Sequence, residues 1–272
     1  MADNLFHLVN SMKKSVKIIL ACLIVVLVAV FGYSAYRVTH TLHQYNESAR
    51  YYEKTRQSAV AVAPEKHADP TGQQPQEIEK TEKSPITVDF DALKAINPDI
   101  RGWLYSEGTK INYPVVQARD NAYYLYRLMD GSYNPGGTLF MDYRCQSDFG
   151  SKNTIIYGHH MQDGSMLASL VNYGKQAYYD EHPVMYLNTP DGDYRLEIFA
   201  GFVTWYDSRV YMYDFSSRTE FDEWVELMRS YSDFSCDVEV NQEDFLITLS
   251  TCTYDYDNAR YVVLARMVPL NG

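Results

Sequence analysis

Apolar positions follow three different rhythms along the chain. From Ile18 to Tyr36 the run IILACLIVVLVAVFGYSAY holds nineteen residues without a charge, which at about 1.5 Å per helical residue nearly matches a hydrocarbon core of about 30 Å. It predicts an uncleaved membrane span at residues 18–36, because a signal peptide would carry a shorter apolar region and a small-x-small cleavage site. From Val38 to Ala59 the positions Val38, Leu42, Tyr45, Ala49 and Tyr52 recur at three- and four-residue steps, which predicts a helical stalk continuing from the span. Val60 to Pro85 is rich in Pro, Gln, Glu and Lys and poor in large apolar groups, so burial cannot offset the entropy of ordering it. Residues 37–85 therefore read as stalk and flexible linker.

The third rhythm fills residues 86–272, long enough for one well-buried core. Its apolar runs are short and rich in β-formers: Ile111 to Val116, Thr138 to Tyr143, Asn153 to Tyr157, Val184 to Leu187, Tyr194 to Thr204, Phe245 to Thr251 and Tyr261 to Val268. Seven runs separated by turn residues predict a mainly β barrel or sandwich, since a parallel α/β sheet would need a helix after each strand. Helical spacing is confined to Phe90–Ile96, to Asn121–Met129 with Leu125, Leu128 and Met129 on one face, and to a segment from about Thr219. In that last segment Phe221, Trp224, Val225 and Met228 oppose Asp222, Glu223 and Glu226.

Charge orients the first segment and narrows the function of the last. Lys13, Lys14 and Lys17 precede the span and Arg37 alone closely follows it, so the positive-inside bias places residues 1–17 in the cytoplasm and the folded domain outside the cell. The formal net charge of −11, with no Lys/Arg-rich run, predicts no nucleic-acid partner. Four cysteines without a CxxC spacing make neither a disulfide scaffold nor a structural zinc site. Cys22 lies in the apolar run, which leaves Cys145, Cys236 and Cys252 beyond it.

Of these, Cys252 stands at the end of a strand-like run with polar flanks, Ser250, Thr251 and Thr253. A thiol becomes a useful nucleophile when a neighbouring base or cation favours the thiolate. His7, His40, His43 and His67 lie outside the predicted domain; His159, His160 and His182 lie within it. His159 and His160 come after the run NTIIYG, at another strand end where a glycine lets the backbone turn, whereas His182 precedes Pro183 in a loop. Adjacent strand residues point to opposite faces, so the His pair does not read as a metal site. Arg260 begins the run after Cys252 and offers a permanently charged fork of donors suited to an oxyanion or a substrate carbonyl. In isolation it also suits a surface ion pair with Asp255 or Asp257.

Together, the strand-end TLSTC, an arginine at the start of the next strand and a Gly-His after an earlier one resemble the sortase family. INYPVVQARDNAYYL, GGTLFMDYR, NTIIYGHHM and the helix from about Thr219 to Ser230 resemble its class B in particular. The resemblance covers about Ile86 to Val268. It implies an eight-stranded β-barrel with added helices and a cysteine transpeptidase with Cys252 as nucleophile, His159 as acid and base, and Arg260 as oxyanion or substrate donor. It further implies that Asn121, Leu125, Tyr211, Ser250 and Thr251 contact a sorting peptide. No cofactor or metal is implied, calcium included. The implied partners are secreted proteins with a C-terminal sorting signal, cleaved after Thr, and an amine of peptidoglycan or its lipid-linked precursor. A pilin-polymerising sortase, a plain cysteine hydrolase and a catalytically silent surface-binding module are the competing readings.

Overall fold

The computed structural model describes residues 14–62, 83–253 and 255–270. Helix α1, Lys14–Ala59, contains the apolar run and its amphipathic continuation. It is the one helix among the described residues that is long and apolar enough to cross a membrane. Residues 1–13 and 63–82 lie outside the described residues, and with them His7, Lys13, His67 and most of the expected linker.

Two compact units divide the chain at Glu47/Ser48. The second unit therefore includes the last three turns of α1, which the sequence alone suggests as stalk. Tyr52, Thr55 and Ala59 on those turns are buried. The start of the expected linker is also ordered: β1, Val60–Val62, pairs antiparallel with β2, Ile86–Val88. The difference has a physical cause. Five of these six strand residues are apolar and the sixth, Thr87, is β-branched, so they suit a two-stranded ribbon, while Ala59 and Ile86 join a core cluster with Leu93, Ile100, Trp103, Val116, Tyr124, Met129 and Phe140.

The main sheet is a closed barrel in the order β10-β8-β7-β3-β4-β5-β6-β9. Its strands are β3 (Ile100–Tyr105), β4 (Asn112–Val116), β5 (Leu139–Met141), β6 (Asn153–Tyr157), β7 (Val184–Thr189), β8 (Gly192–Trp205), β9 (Phe245–Cys252) and β10 (Ala259–Pro269). All seven expected runs are strands; the eighth, β3, reads IRGWLY and is interrupted by Arg and Gly. Gly102 is needed there, since a Cβ would lie 3.0 Å from the Asn188 carbonyl and 3.1 Å from the Phe149 ring. Two neighbouring pairs are parallel, β4 with β5 and β6 with β9. The second pair decides the site, because it brings the C-terminal ends of β6 and β9 to one rim.

Helices lie outside the sheet. Asp89 caps α2, Phe90–Ile96, by accepting the Ala92 amide at 2.9 Å; α3 is short, Gln176–Glu181. Helix α4, Arg218–Ser230, is capped by Ser217 and buries Phe221, Trp224, Val225 and Met228, the stripe expected from its spacing. The helix expected over Asn121–Met129 is reduced to one 3-10 turn, Tyr124–Tyr126. Its carbonyls have tertiary partners instead: Tyr124 accepts the Thr138 amide, Tyr126 the Asn134 amide, and Arg127 the Thr138 hydroxyl. Acceptors committed in this way cannot close an α-helical ladder.

Candidate active site

Three strand ends meet on one rim. In the parallel pair, Tyr157 of β6 lies opposite Ser250 of β9, so Gly158-His159 and Thr251-Cys252 leave the barrel together. In the antiparallel pair, Arg260 of β10 is the direct partner of Cys252. Cys252, His159 and Arg260 are each half-buried, neither sealed in the core nor freely solvated. The ends are tied together: the Gly158 amide donates to the Ser250 carbonyl at 3.1 Å and the Thr251 hydroxyl to the Gly158 carbonyl at 2.9 Å.

Gly158 is required by close packing. A Cβ there would stand 2.4 Å from Leu139 Cδ2 and 2.7 Å from Leu167 Cγ, and its φ is not positive, so the turn expected of it is not the reason for glycine. The imidazole next to it is fixed in place. His159 Nε2 lies 2.6 Å from the Leu125 carbonyl oxygen, and its ring is 5.7 Å from that of Tyr126. A carbonyl only accepts, so Nε2 carries the hydrogen and Nδ1 is the nitrogen left to take up a proton in the neutral ring. Burial holds His159 below the ordinary histidine value; the bond to Leu125 works against this and the charge of Arg260 adds to it. The neighbouring ring has a different task, since His160 Nδ1 donates to the Cys252 carbonyl at 2.9 Å and holds the strand end.

Among the described residues no carboxylate lies within ion-pair distance of Arg260. Asp255 instead accepts from the Thr253 hydroxyl, so the surface pairing with Asp255 is not formed. Arg260 Nη1 donates to the Ala259 carbonyl at 3.0 Å, and its charge also reaches Tyr211.

The other expected site residues occupy three different settings. Leu125 is half-buried on the 3-10 turn, and Asn121 precedes that turn, its Nδ2 donating to Asp142 at 3.0 Å and its Oδ1 accepting the Tyr143 amide at 3.1 Å. Alternation along β9 puts Thr248, Ser250 and Cys252 on one face. On that face the Ser250 hydroxyl meets the Tyr211 hydroxyl at 2.9 Å. Burial pushes the Tyr211 phenol up to about 12, against the lowering effect of Ser250. Thr251 lies on the opposite face, is 1% exposed and is spent on Gly158. Its side chain thus ties the ends of β9 and β6 together.

Sequence reasoning overlooked the polar cluster beside these residues. The fully buried Asp142 carboxylate accepts from Asn121, from the Tyr157 hydroxyl at 3.0 Å and from Arg144 Nε at 2.8 Å and Nη2 at 2.7 Å. Burial alone would raise Asp142, but these bonds, those from Arg144 foremost, hold it below the ordinary carboxylate range. The Tyr157 ring in turn lies tilted against that of Tyr211, centroids 5.9 Å apart. The signal was present in the segment GGTLFMDYR, whose Asp-x-Arg spacing has no evident meaning until β5 and β6 are paired. Among the described residues no group of three or more His, Cys, Asp or Glu could hold a metal ion.

A closed barrel of eight strands with cysteine, histidine and arginine gathered at one rim defines a class of cysteine-dependent acyl-transfer barrels, and comparison with known proteins agrees. A family model described as the Sortase domain matches residues 104–268. Sortase B of Staphylococcus aureus is 30% identical over 255 residues, covering 93% of this chain and 97% of that protein. Sortase B of Listeria monocytogenes is 36% identical over 178 residues, covering 65% of this chain and 72% of that protein. The structure of a Staphylococcus aureus sortase B–substrate complex superposes with a TM-score of 0.64 at 33% identity, covering 67% of this chain and 85% of the other. A Bacillus anthracis protein described as similar to sortase B gives 0.64 at 35% identity, with 83% and 94% covered. The chain belongs to the sortase family, within its class B, and is a cysteine transpeptidase.

Proposed function

We propose that Cys252 is the nucleophile of a reaction that joins a secreted protein to a cell-wall amine, with His159 moving the protons and Arg260 holding the carbonyl. The observation that carries this reading is the common rim of β6, β9 and β10, which gathers the thiol, an imidazole of fixed tautomer and a guanidinium with no carboxylate partner among the described residues. The Cys252 sulfur attacks the carbonyl carbon after Thr in a C-terminal sorting motif, passing its proton to His159 Nδ1. Arg260 donates to the developing oxyanion. Collapse of the tetrahedral species breaks the C–N bond, and His159 gives the proton to the departing amine, leaving a thioacyl-enzyme. An amine of peptidoglycan or its lipid-linked precursor then attacks, losing its proton to His159, and Cys252 leaves as the thiol.

Leu125 and Asn121 form one wall of the peptide groove in this reading, and the Tyr211–Ser250 pair forms its floor. The apolar run of α1 anchors the enzyme with residues 1–17 in the cytoplasm and residues 86–272 carrying the catalytic fold outside. That arrangement confines enzyme, tail-anchored substrate and lipid-linked acceptor to one surface and raises their effective concentration. That a sortase B of Staphylococcus aureus forms a complex with a substrate supports the peptide part of the reading.

The test is incubation with a library of sorting-type pentapeptides and candidate amines, with products identified by mass spectrometry. Peptides cleaved after Thr and joined to the amine are expected. Hydrolysis alone in the presence of every amine, or no cleavage of any peptide, would overturn the proposal.

A further inference from the structure

The carbonyl that fixes His159 is itself held from the end of α1. Tyr52, on the segment expected to be stalk, is 1% exposed. Its hydroxyl lies 2.6 Å from the Gly137 carbonyl oxygen and 2.8 Å from Thr138 Oγ1. Thr138 gives its hydroxyl hydrogen to the Arg127 carbonyl at 2.8 Å, so the single phenol hydrogen of Tyr52 is directed at the Gly137 oxygen, with Thr138 Oγ1 as second acceptor. The ring is wedged edge-on against Tyr113, centroids 5.2 Å apart.

The Gly137-Thr138 turn that Tyr52 grips presses on the His159 anchor. Gly137 has a φ of +58°, and a Cβ on it would stand 2.5 Å from the Leu125 carbonyl oxygen and 2.6 Å from that of Tyr124. The Thr138 amide donates to the Tyr124 carbonyl at 3.1 Å. Backbone thus lies directly against the 3-10 turn from both residues, and the Leu125 oxygen then meets His159 Nε2 at 2.6 Å. Every link is buried or half-buried, so water is a poor substitute for a lost partner.

We infer that Tyr52 is a positioning residue for catalysis, acting through the Gly137-Thr138 turn and the Leu125 carbonyl to hold the tautomer and orientation of the His159 ring. This rests on the assignment of His159 to proton transfer, yet its first readout is independent of turnover. Neither the ring nor the apolar packing of Tyr52 performs this task; the phenol hydrogen does. Tyr52→Phe keeps the wedge and deletes the hydrogen bond.

The experiment uses the full chain in detergent micelles with 15N-labelled histidine, the His159 signals being assigned by their loss in His159→Gln. In the parent chain His159 is expected to show the Nε2–H tautomer. In Tyr52→Phe the Nδ1–H tautomer should gain population, with the apparent His159 titration displaced. Where a sorting peptide is turned over, kcat should fall on the order of tenfold with KM nearly unchanged, the pattern of a misoriented proton-transfer group. Where Tyr52→Phe does not fold, the parent chain still decides, because an Nδ1–H tautomer of His159 in it would overturn the inference. Parent-like His159 signals and an unchanged pH profile in a folded Tyr52→Phe chain would overturn the inference. A displaced His159 signal in a chain that turns over no peptide would uphold it while removing the proposed reaction.

Discussion

Deleting one sulfur separates this thiol from the others. Cys252→Ala is expected to abolish both peptide cleavage and amine transfer, whereas Cys145→Ser and Cys236→Ser leave turnover largely intact, as end-point mass spectrometry of products will show. Burial pushes the Cys145 thiol up to about 11, and Cys236 Sγ lies 3.4 Å from the Phe199 carbonyl, away from the rim. His159→Ala should cost far more in kcat/KM than His160→Ala, since His160 acts on the Cys252 main chain while His159 presents the free nitrogen. Equal losses would assign the proton transfer wrongly. Arg260→Gln removes a positive charge that disfavours the imidazolium, so the His159 titration should move up toward 6.5. The sequence singled out Cys252, His159 and Arg260 by their strand-end positions and polar flanks, since each residue type alone has ordinary structural uses. Leu125 was legible only as an apolar groove residue, because its contribution is a carbonyl oxygen, and every residue type supplies one.

Individual elements hold Tyr211 against Ser250. Trp224 is fully buried on α4 and donates from Nε1 to the Arg209 carbonyl at 2.8 Å, bracing the 3-10 turn Arg209–Tyr211 that presents Tyr211 to Ser250. Trp224→Phe keeps most of the packing and deletes this bond; an increase in KM for a sorting peptide is expected, with kcat little changed. The N-cap is a separate matter: Ser217→Ala loses the bond to the Glu220 amide and should lower stability by about 1 kcal/mol in urea unfolding, with unchanged KM. The amphipathic stripe of α4 was readable from its spacing, because one face packs on protein and the other on water. Asn121–Met129 carried a similar stripe and yet formed a single 3-10 turn. Periodicity records which side chains are buried; it does not record that Tyr124, Tyr126 and Arg127 carbonyls are claimed by Thr138 and Asn134.

For the molecule as a whole, pH and the position of the N-terminal boundary both bear on stability. Because burial depresses the His159 value in the folded chain, the unfolded chain takes up this proton first as pH falls. The associated stability is complete above about pH 6.5 and declines as pH drops through the folded value; Asp142 adds a second decline below about pH 3.8. Urea midpoints between pH 7 and pH 5 should therefore fall less steeply in His159→Gln than in the parent. The fold boundary gives the other test. A chain starting at Ser48 retains Tyr52, Ala59 and strand β1; one starting at Lys83 loses them and should be less stable by about 3 kcal/mol or more, with a Tm lower by roughly 6–12 °C. Equal melting of the two chains would show that the end of α1 contributes nothing.

The sequence by itself determined the apolar run of α1, seven of the eight barrel strands, the stripe of α4 and the chemical groups at Cys252, His159 and Arg260. Each of these is written in side-chain type or local spacing. Only the tertiary structure decided that β6 and β9 run parallel and so end on one rim, that the Thr251 hydroxyl is spent on the Gly158 carbonyl, and that Tyr52 belongs to the same compact unit as the barrel. Those facts depend on strand pairing and on main-chain acceptors between residues up to 93 positions apart, as with Thr251 and Gly158. Local patterning specifies what must be buried, but the partner of a buried polar group is set by which other segments the closed barrel brings beside it.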